Sequence, residues 1–198
     1  MATQSPIGRI AYPFIASPRA RKDTDKPRYS VCLVFPEGTD FTEIRALCRA
    51  AAEKKFPQGI PKGIKSPLRS GEERRRDDGT LPEGFLATDI YIDFWRYAEQ
   101  GEVECLGPDK NTILASDIYS GCFGRVLCNA SAYSVDGNKG VSLHLEAFQF
   151  AKDGERVGGD GPVDAKAGFG DLPVTAAPVA AVAAVAVAAA PAAAELPF

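Results

Sequence analysis

The 198 residues carry 23 Lys and Arg against 26 Asp and Glu, with 45% hydrophobic residues, a composition that excludes a wholly disordered chain and suits one globular domain with appendages. The net charge of -3 hides a split, because residues 1–76 hold 16 Lys and Arg and 8 Asp and Glu, whereas residues 77–198 hold 7 and 18. A basic first part of this kind suits a polyanion partner on one surface.

Taken in chain order, the N-terminus MATQSPIGRIAYPF reads as loop, and its prolines and arginine interrupt any apolar run that would make a secretion signal. Residues 28–35, RYSVCLVF, are rich in β-branched and aromatic side chains and stop at Pro36-Glu37-Gly38, which predicts a strand. Asp40 and Glu43 stand at capping-box spacing, and Ile44, Leu47, Cys48 and Ala51 recur at helical intervals, predicting a helix over 41–55. Residues 57–84, with their SGEERRRDDGT stretch, predict an exposed loop without core. The segment from Phe85 to Tyr97 alternates, with Leu86, Ile90, Ile92 and Phe94 on an inner face and Asp89, Tyr91, Asp93, Trp95 and Tyr97 on an outer one.

A second long strand is expected from Phe123 to Tyr133, with Val126, Cys128, Ala130 and Ala132 inward and Phe123, Arg125, Asn129 and Tyr133 opposite. Val135 to Gly140 supplies hairpin residues, and Val141 to Phe150 returns with Val141, Leu143, Leu145 and Ala147 inward. Several antiparallel strands with one early α-helix predict a mostly β fold, a small sandwich or a partly open barrel. The five cysteines, Cys32, Cys48, Cys105, Cys122 and Cys128, are odd in number and form no CxxC pair. A disulfide framework and a standard zinc site are therefore not expected, and a reduced, cytoplasmic setting is.

Little here supports catalysis. His144 is the single histidine and lies in a strand, and no nucleophile-elbow, Walker or dinucleotide glycine pattern occurs. Asp89 and Asp93 read as a solvated face in preference to an acid pair or a cation site, so no enzyme, cofactor or metal is expected. Single-stranded nucleic acid needs cations along its backbone and exposed rings on which bases stack. Lys26, Arg28, Arg69, Arg74, Arg75, Arg76, Arg96, Arg125 and Lys139 are the candidate cations. Tyr29, Tyr91, Trp95, Tyr97, Phe123 and Tyr133 are the candidate platforms, with Tyr91, Trp95 and Tyr133 ranked first because their strand faces are otherwise polar.

The stretches KPRYSVCLVFP, LRSGEE, IYSGCFGRV, GNKGVSLHLEAFQFAKDGERVGG and GFGD, running in order from Lys26 to Asp171, resemble a bacteriophage family first catalogued as a domain of unknown function and since linked to single-stranded DNA binding. The resemblance implies an OB-fold that coats single-stranded DNA without sequence preference during phage replication, recombination or repair, in the cytoplasm of a bacterial host. The alternatives are a DNA-annealing or recombination mediator that uses the same surface and a phage scaffold protein that binds no DNA. Asp89 and Asp93 would repel phosphate if they faced the groove. Either their face lies outside it, or neighbouring arginines offset them.

The domain is expected over residues 1–171, followed by an Ala/Val/Pro tail over 172–198 that is too rich in alanine and proline for a membrane span. The tail ends in Glu195, Leu196, Pro197 and Phe198, similar to the tip of bacterial single-stranded DNA-binding proteins, although with one nearby acid in place of a run. That likeness implies recruitment of replication or recombination proteins: the terminal ring enters an apolar pocket while the carboxylates meet basic residues at its rim. Homo-oligomerisation is left open.

Overall fold

Each strand must turn one side inward, so the alternation of the chain decides the architecture. The computed structural model describes residues 2–158 apart from 21, 23 and 136. Its elements are β1 (Thr3–Gln4), β2 (Gly8–Arg19), β3 (Arg28–Phe35), α1 (Thr42–Lys55), β4 (Arg69–Ser70), β5 (Ile90–Tyr97), β6 (Glu104–Leu106), β7 (Phe123–Val135) and β8 (Asn138–Lys152). β2 pairs with β3, β3 with β5, β5 in parallel with β8, β8 with β7, and β7 back to β2. This circuit is a five-stranded Greek-key barrel, the OB-fold. Its β2–β7 and β5–β8 joints span only two residue pairs each, which leaves it partly open. The mostly β barrel with one early helix thus agrees with the expectation.

The core is filled from every wall: Ile10 and Ile15 from β2, Val31, Leu33 and Phe35 from β3, Ile92 and Phe94 from β5, Val126 and Cys128 from β7, and Leu143, Leu145 and Phe148 from β8. α1 adds Ile44, and Phe41 just before it meets Phe35 edge to face at 5.1 Å. Each large side chain removed from water in this way contributes about 1.5–3 kcal/mol of transfer free energy. The helix starts almost where the sequence predicts. Asp40 accepts hydrogen bonds from the Thr42 N–H and hydroxyl, while Phe41 at the boundary makes no side-chain cap bond. The five cysteines are free, and all but the half-buried Cys48 are buried. Burial pushes the Cys128 thiol up to about 12 and the Cys48 thiol up to about 11.

Four expectations need correction. The N-terminus is not loop: β1 pairs with β7, and β2 forms a wall of the barrel. Its prolines, Pro13 and Pro18, fall where the β2–β3 register shifts, between Ala11 and Phe14 and between Phe14 and Arg19, so a missing N–H breaks no ladder bond. On β8, Leu145 faces Cys128 and Ala147 faces Leu127, so Glu146 is an extra residue. That bulge inverts the alternation and sends Phe148 inward in place of Ala147. β5 begins at Ile90, and Leu86 is exposed. Finally, the 57–84 segment is not uniformly exposed. Leu68 packs on the core, Gly71 is buried, and Ser70 and Glu73 form a capping box on the short 3₁₀ turn Gly71–Arg74.

The β7–β8 hairpin turns at Gly137, whose φ of 78° suits a residue without a side chain.

Candidate nucleic-acid interface

Outside the barrel, β3 and β5 present paired rows: Arg28 opposite Tyr97, Ser30 opposite Trp95, Cys32 opposite Asp93, and Val34 opposite Tyr91. The Arg28 guanidinium carbon stands 4.7 Å from the centre of the Trp95 ring and 5.3 Å from that of Tyr97. The two rings meet edge to face at 5.0 Å. Trp95 also meets the ring of His144, its parallel neighbour on β8, at 4.7 Å. His144 Nε2 shares a 2.6 Å hydrogen bond with the Ser131 hydroxyl of β7. Burial lowers the His144 pKa against the opposing charge of Glu146, so the imidazole is neutral at neutral pH.

Two hollows open on this face and share Arg28, Asp93 and Trp95. One continues over β2 to Tyr12, Phe14 and Arg19. The other continues toward Lys65, Arg69, Tyr133 and Ser142. Together they form a groove with a ring at its middle and cations at both ends. Tyr133 lies across Gly140, its cross-strand partner, where a Cβ would collide with the phenol ring. The aromatic surface is thereby held flat against the sheet.

Asp93 sits where the hollows join, and it is not a bare charge. Arg74 Nη2 donates to both of its oxygens, at 2.7 and 2.8 Å. The same guanidinium lies 4.3 Å from the centre of the Tyr91 ring. Burial is the largest influence on Arg74 and works against its charge, but Asp93, Cys32, Tyr91 and Tyr12 together outweigh it and the pKa is raised. Asp89 has left the groove: it is 5% exposed and accepts the Leu86 N–H at 2.9 Å. Of the two alternatives open at the sequence level, an arginine offset therefore holds for Asp93, whereas Asp89 lies outside.

The structure brings together Arg28, Arg69, Arg74, Trp95 and Tyr133 from the expected set. Lys26 stands beside Tyr97, 6.0 Å from the ring centre, and pairs with Glu99 at 3.0 Å. Lys139 is exposed, next to the Lys65 strand contact at the groove end. Arg76 is exposed in the 57–84 segment, and Arg75 is tied to Glu72 at 2.7 Å.

Two expected platforms are overturned. Tyr91 is only 2% exposed because Phe85 and Arg74 cover it, and Tyr29 is 7% exposed because its parity on β3 turns it into the core. Neither offers a face to a base. Arg96 donates to the Gln100 and Glu146 carbonyls and serves the backbone. Phe123 and Arg125 occupy the far end of β7 from Tyr133 and do not line the groove. Phe123 lies in a separate hollow with Arg9, Glu83 and Arg156, and Arg125 bonds Gln149 at 2.9 Å.

Sequence reasoning missed Tyr12, Phe14, Arg19, Lys65 and the ring contact of His144. Alternation in GRIAYPFIASPR was the available signal, hidden by its two prolines. Among the described residues no cluster of three or more His, Cys, Asp or Glu is placed to hold a metal ion, and no helix is long and apolar enough to cross a membrane. Residues 172–198, with Glu195, Leu196, Pro197 and Phe198, lie outside the described residues.

The model of the family described as Enterobacter phage Enc34, ssDNA-binding protein, matches residues 4–177. The chain belongs to this family. Its fold is similar to the single-stranded DNA-binding protein of bacteriophage Enc34 solved in complex with ssDNA, with a TM-score of 0.61 and 18% identity over 78% of this chain and 88% of that one. It is also similar to gp2.5, a single-stranded DNA binding protein encoded by bacteriophage T7, with a TM-score of 0.56 and 16% identity over 81% of this chain and 91% of that one. At such identities the solved structures establish the family's barrel, not its contacts. No curated protein matches the chain.

Proposed function

We propose that this chain is a single-stranded DNA-binding protein of phage replication, recombination or repair, acting without an enzymatic step in the cytoplasm of the bacterial host. The observation that carries the reading is the groove over β3 and β5, where Arg28 lies on Trp95 and Tyr97 between two cationic ends. Backbone charge is met by Arg19, Arg28, Lys65 and Arg69, and bases stack on Trp95, Tyr97 and Tyr133. The outer face of the second and third barrel strands is also where OB-folds take oligonucleotides. Membership of the phage family supports the same assignment.

We read residues 1–171 as the binding domain and 172–198 as a linker ending in a recruiting peptide. Glu195 to Phe198 engage a replication or recombination protein. Deleting these four residues abolishes that capture, and unchanged capture and DNA affinity would remove the role of the tip.

The central test is titration of a fluorescent dT oligonucleotide and a matching duplex at several salt concentrations, following affinity and Trp95 fluorescence. Tight, salt-sensitive binding that prefers the single strand, with quenching, is expected. Equal affinity for duplex, or no binding at low salt, would overturn the function.

A further inference from the structure

Among the described residues two that are not glycine have a positive φ, Tyr12 at 50° and Lys110 at 65°. Lys110 closes a turn in which its N–H donates to the Gly107 carbonyl, a setting where left-handed backbone is ordinary. Tyr12 lies inside β2, where the same conformation is unfavourable for a residue with a Cβ and persists only when other contacts hold it. Ala11 opposes Cys32 and Phe14 opposes Ser30, so Tyr12 and Pro13 together stand against Val31 alone. This extra residue is a bulge. In unbroken alternation Tyr12, two places after the buried Ile10, would follow it into the core. The bulge turns it outward instead, and it is 42% exposed.

The re-aimed ring has a built support. It stacks on Phe85 with centres 6.1 Å apart and planes 21° from parallel. The Arg74 guanidinium carbon stands 6.0 Å from the centre of the Tyr12 ring and 5.8 Å from that of Phe85, which keeps it to the Phe85 side or the rim of the Tyr12 ring. Neither covers the opposite face. Tyr12 and Trp95 border the same hollow from β2 and β5, strands separated by β3 and so about 10 Å apart. Arg19 and Arg28 line that hollow with them.

We propose that Tyr12 is a further stacking platform for single-stranded DNA, so that the strand crosses from β5 over β3 to β2 with one base on Trp95 and another on Tyr12. The ligand it takes is an unpaired base, whose π-face suits an exposed phenol ring in any sequence. The left-handed backbone at Tyr12 is then stability given up to hold the ring at the groove. The inference rests on the single-stranded DNA reading above and adds to it the β2 side of the footprint.

The test titrates a labelled dT oligonucleotide, over a series of salt concentrations, with the full-length protein and its Tyr12→Gly, Tyr12→Ala and Tyr12→Phe variants, with denaturant unfolding in parallel. Glycine adopts a positive φ without strain, so Tyr12→Gly is expected to be more stable than Tyr12→Ala. Both nevertheless bind about tenfold more weakly than the wild type, the order of one lost stack. The slope of log affinity against log salt stays unchanged, because no cation is removed. Tyr12→Phe keeps the ring and restores affinity to within about twofold of the wild type. Wild-type affinity in Tyr12→Gly overturns the inference. So does an affinity that follows stability across the variants, or a salt slope reduced as by loss of a groove cation. A wild type without preference for the single strand removes the functional reading itself, whereas a weakened Trp95→Ala beside an unaffected Tyr12→Gly removes only this inference.

Discussion

Tyr91 and Trp95 lie on the same outer face of β5, two places apart in its alternation, and the protein treats them in opposite ways. Tyr91 is buried in a small second cluster with Ala11, Cys32, Val34 and Phe85, and Arg74 lies over its ring. Trp95 borders both hollows of the groove. Strand periodicity assigns a side chain to a face. It does not say whether another part of the chain will be laid over that face. Here residues 71–89 cover one end of the β3–β5 surface, with Gly71 donating to the Asp89 carbonyl at 2.6 Å, and they leave the other end open. One half of the surface becomes core and the other is available to a ligand.

The comparison can be broken most directly at Tyr91. Truncation by Tyr91→Ala is expected to cost about 3 kcal/mol of stability, since it empties a buried aromatic site, and denaturant unfolding reads the change. If stability held while DNA affinity fell, the covered and open ends would be assigned the wrong way round. At the open end, Trp95→Ala is expected to weaken single-stranded DNA binding by about 1–3 kcal/mol, the worth of one stacked base, with a smaller loss of stability than Tyr91→Ala. Titration with labelled dT oligonucleotide separates the two variants.

A sharper contrast lies between groove and far-side cations. Arg28→Ala should lower affinity and reduce the slope of log affinity against log salt by about one. Arg125→Ala, held by Gln149 away from the groove, should leave that slope unchanged. A slope that falls equally in both would mean that the strand wraps the barrel more widely than the groove suggests.

The smallest expected effect is on pH dependence. Burial keeps the His144 pKa below its usual 6.5, so on acidification the unfolded chain takes up this proton before the folded one does. Stability should therefore rise with pH between the folded and unfolded pKa values, and fall as pH drops from 7 toward 5. His144→Gln should flatten that part of the profile, measured as the urea midpoint at several pH values. An identical acid slope in the variant would assign the proton uptake to other groups.

Much of the fold was legible because it depends on short-range pattern. The strand Arg28–Phe35, the helix and the β7–β8 hairpin follow from β-branched runs, helical spacing and a Gly-Asn turn. Trp95 and Tyr133 were likewise legible as candidates, since an aromatic residue on a polar strand face is visible without coordinates, and Arg28 and Arg69 were legible by their charge. β2 was not, because prolines that ordinarily exclude a strand interior are tolerated at its register shifts. The phase of β8 was equally hidden, since a single extra residue at Glu146 inverts the alternation without any mark in composition.

The sequence by itself determined the inward sets of β5 and β7, the basic character of the first part of the chain, and the family, because composition, periodicity and ordered motifs are properties of the chain alone. Only the tertiary structure decided which outward residues stay outward. Barrel closure brings β8 alongside β5 and sets His144 against Trp95, and residues 71–89 fold back to bury Tyr91 and give Asp93 its arginine. Those contacts join residues distant in sequence, and no local pattern encodes a contact between segments that meet only after the barrel has closed.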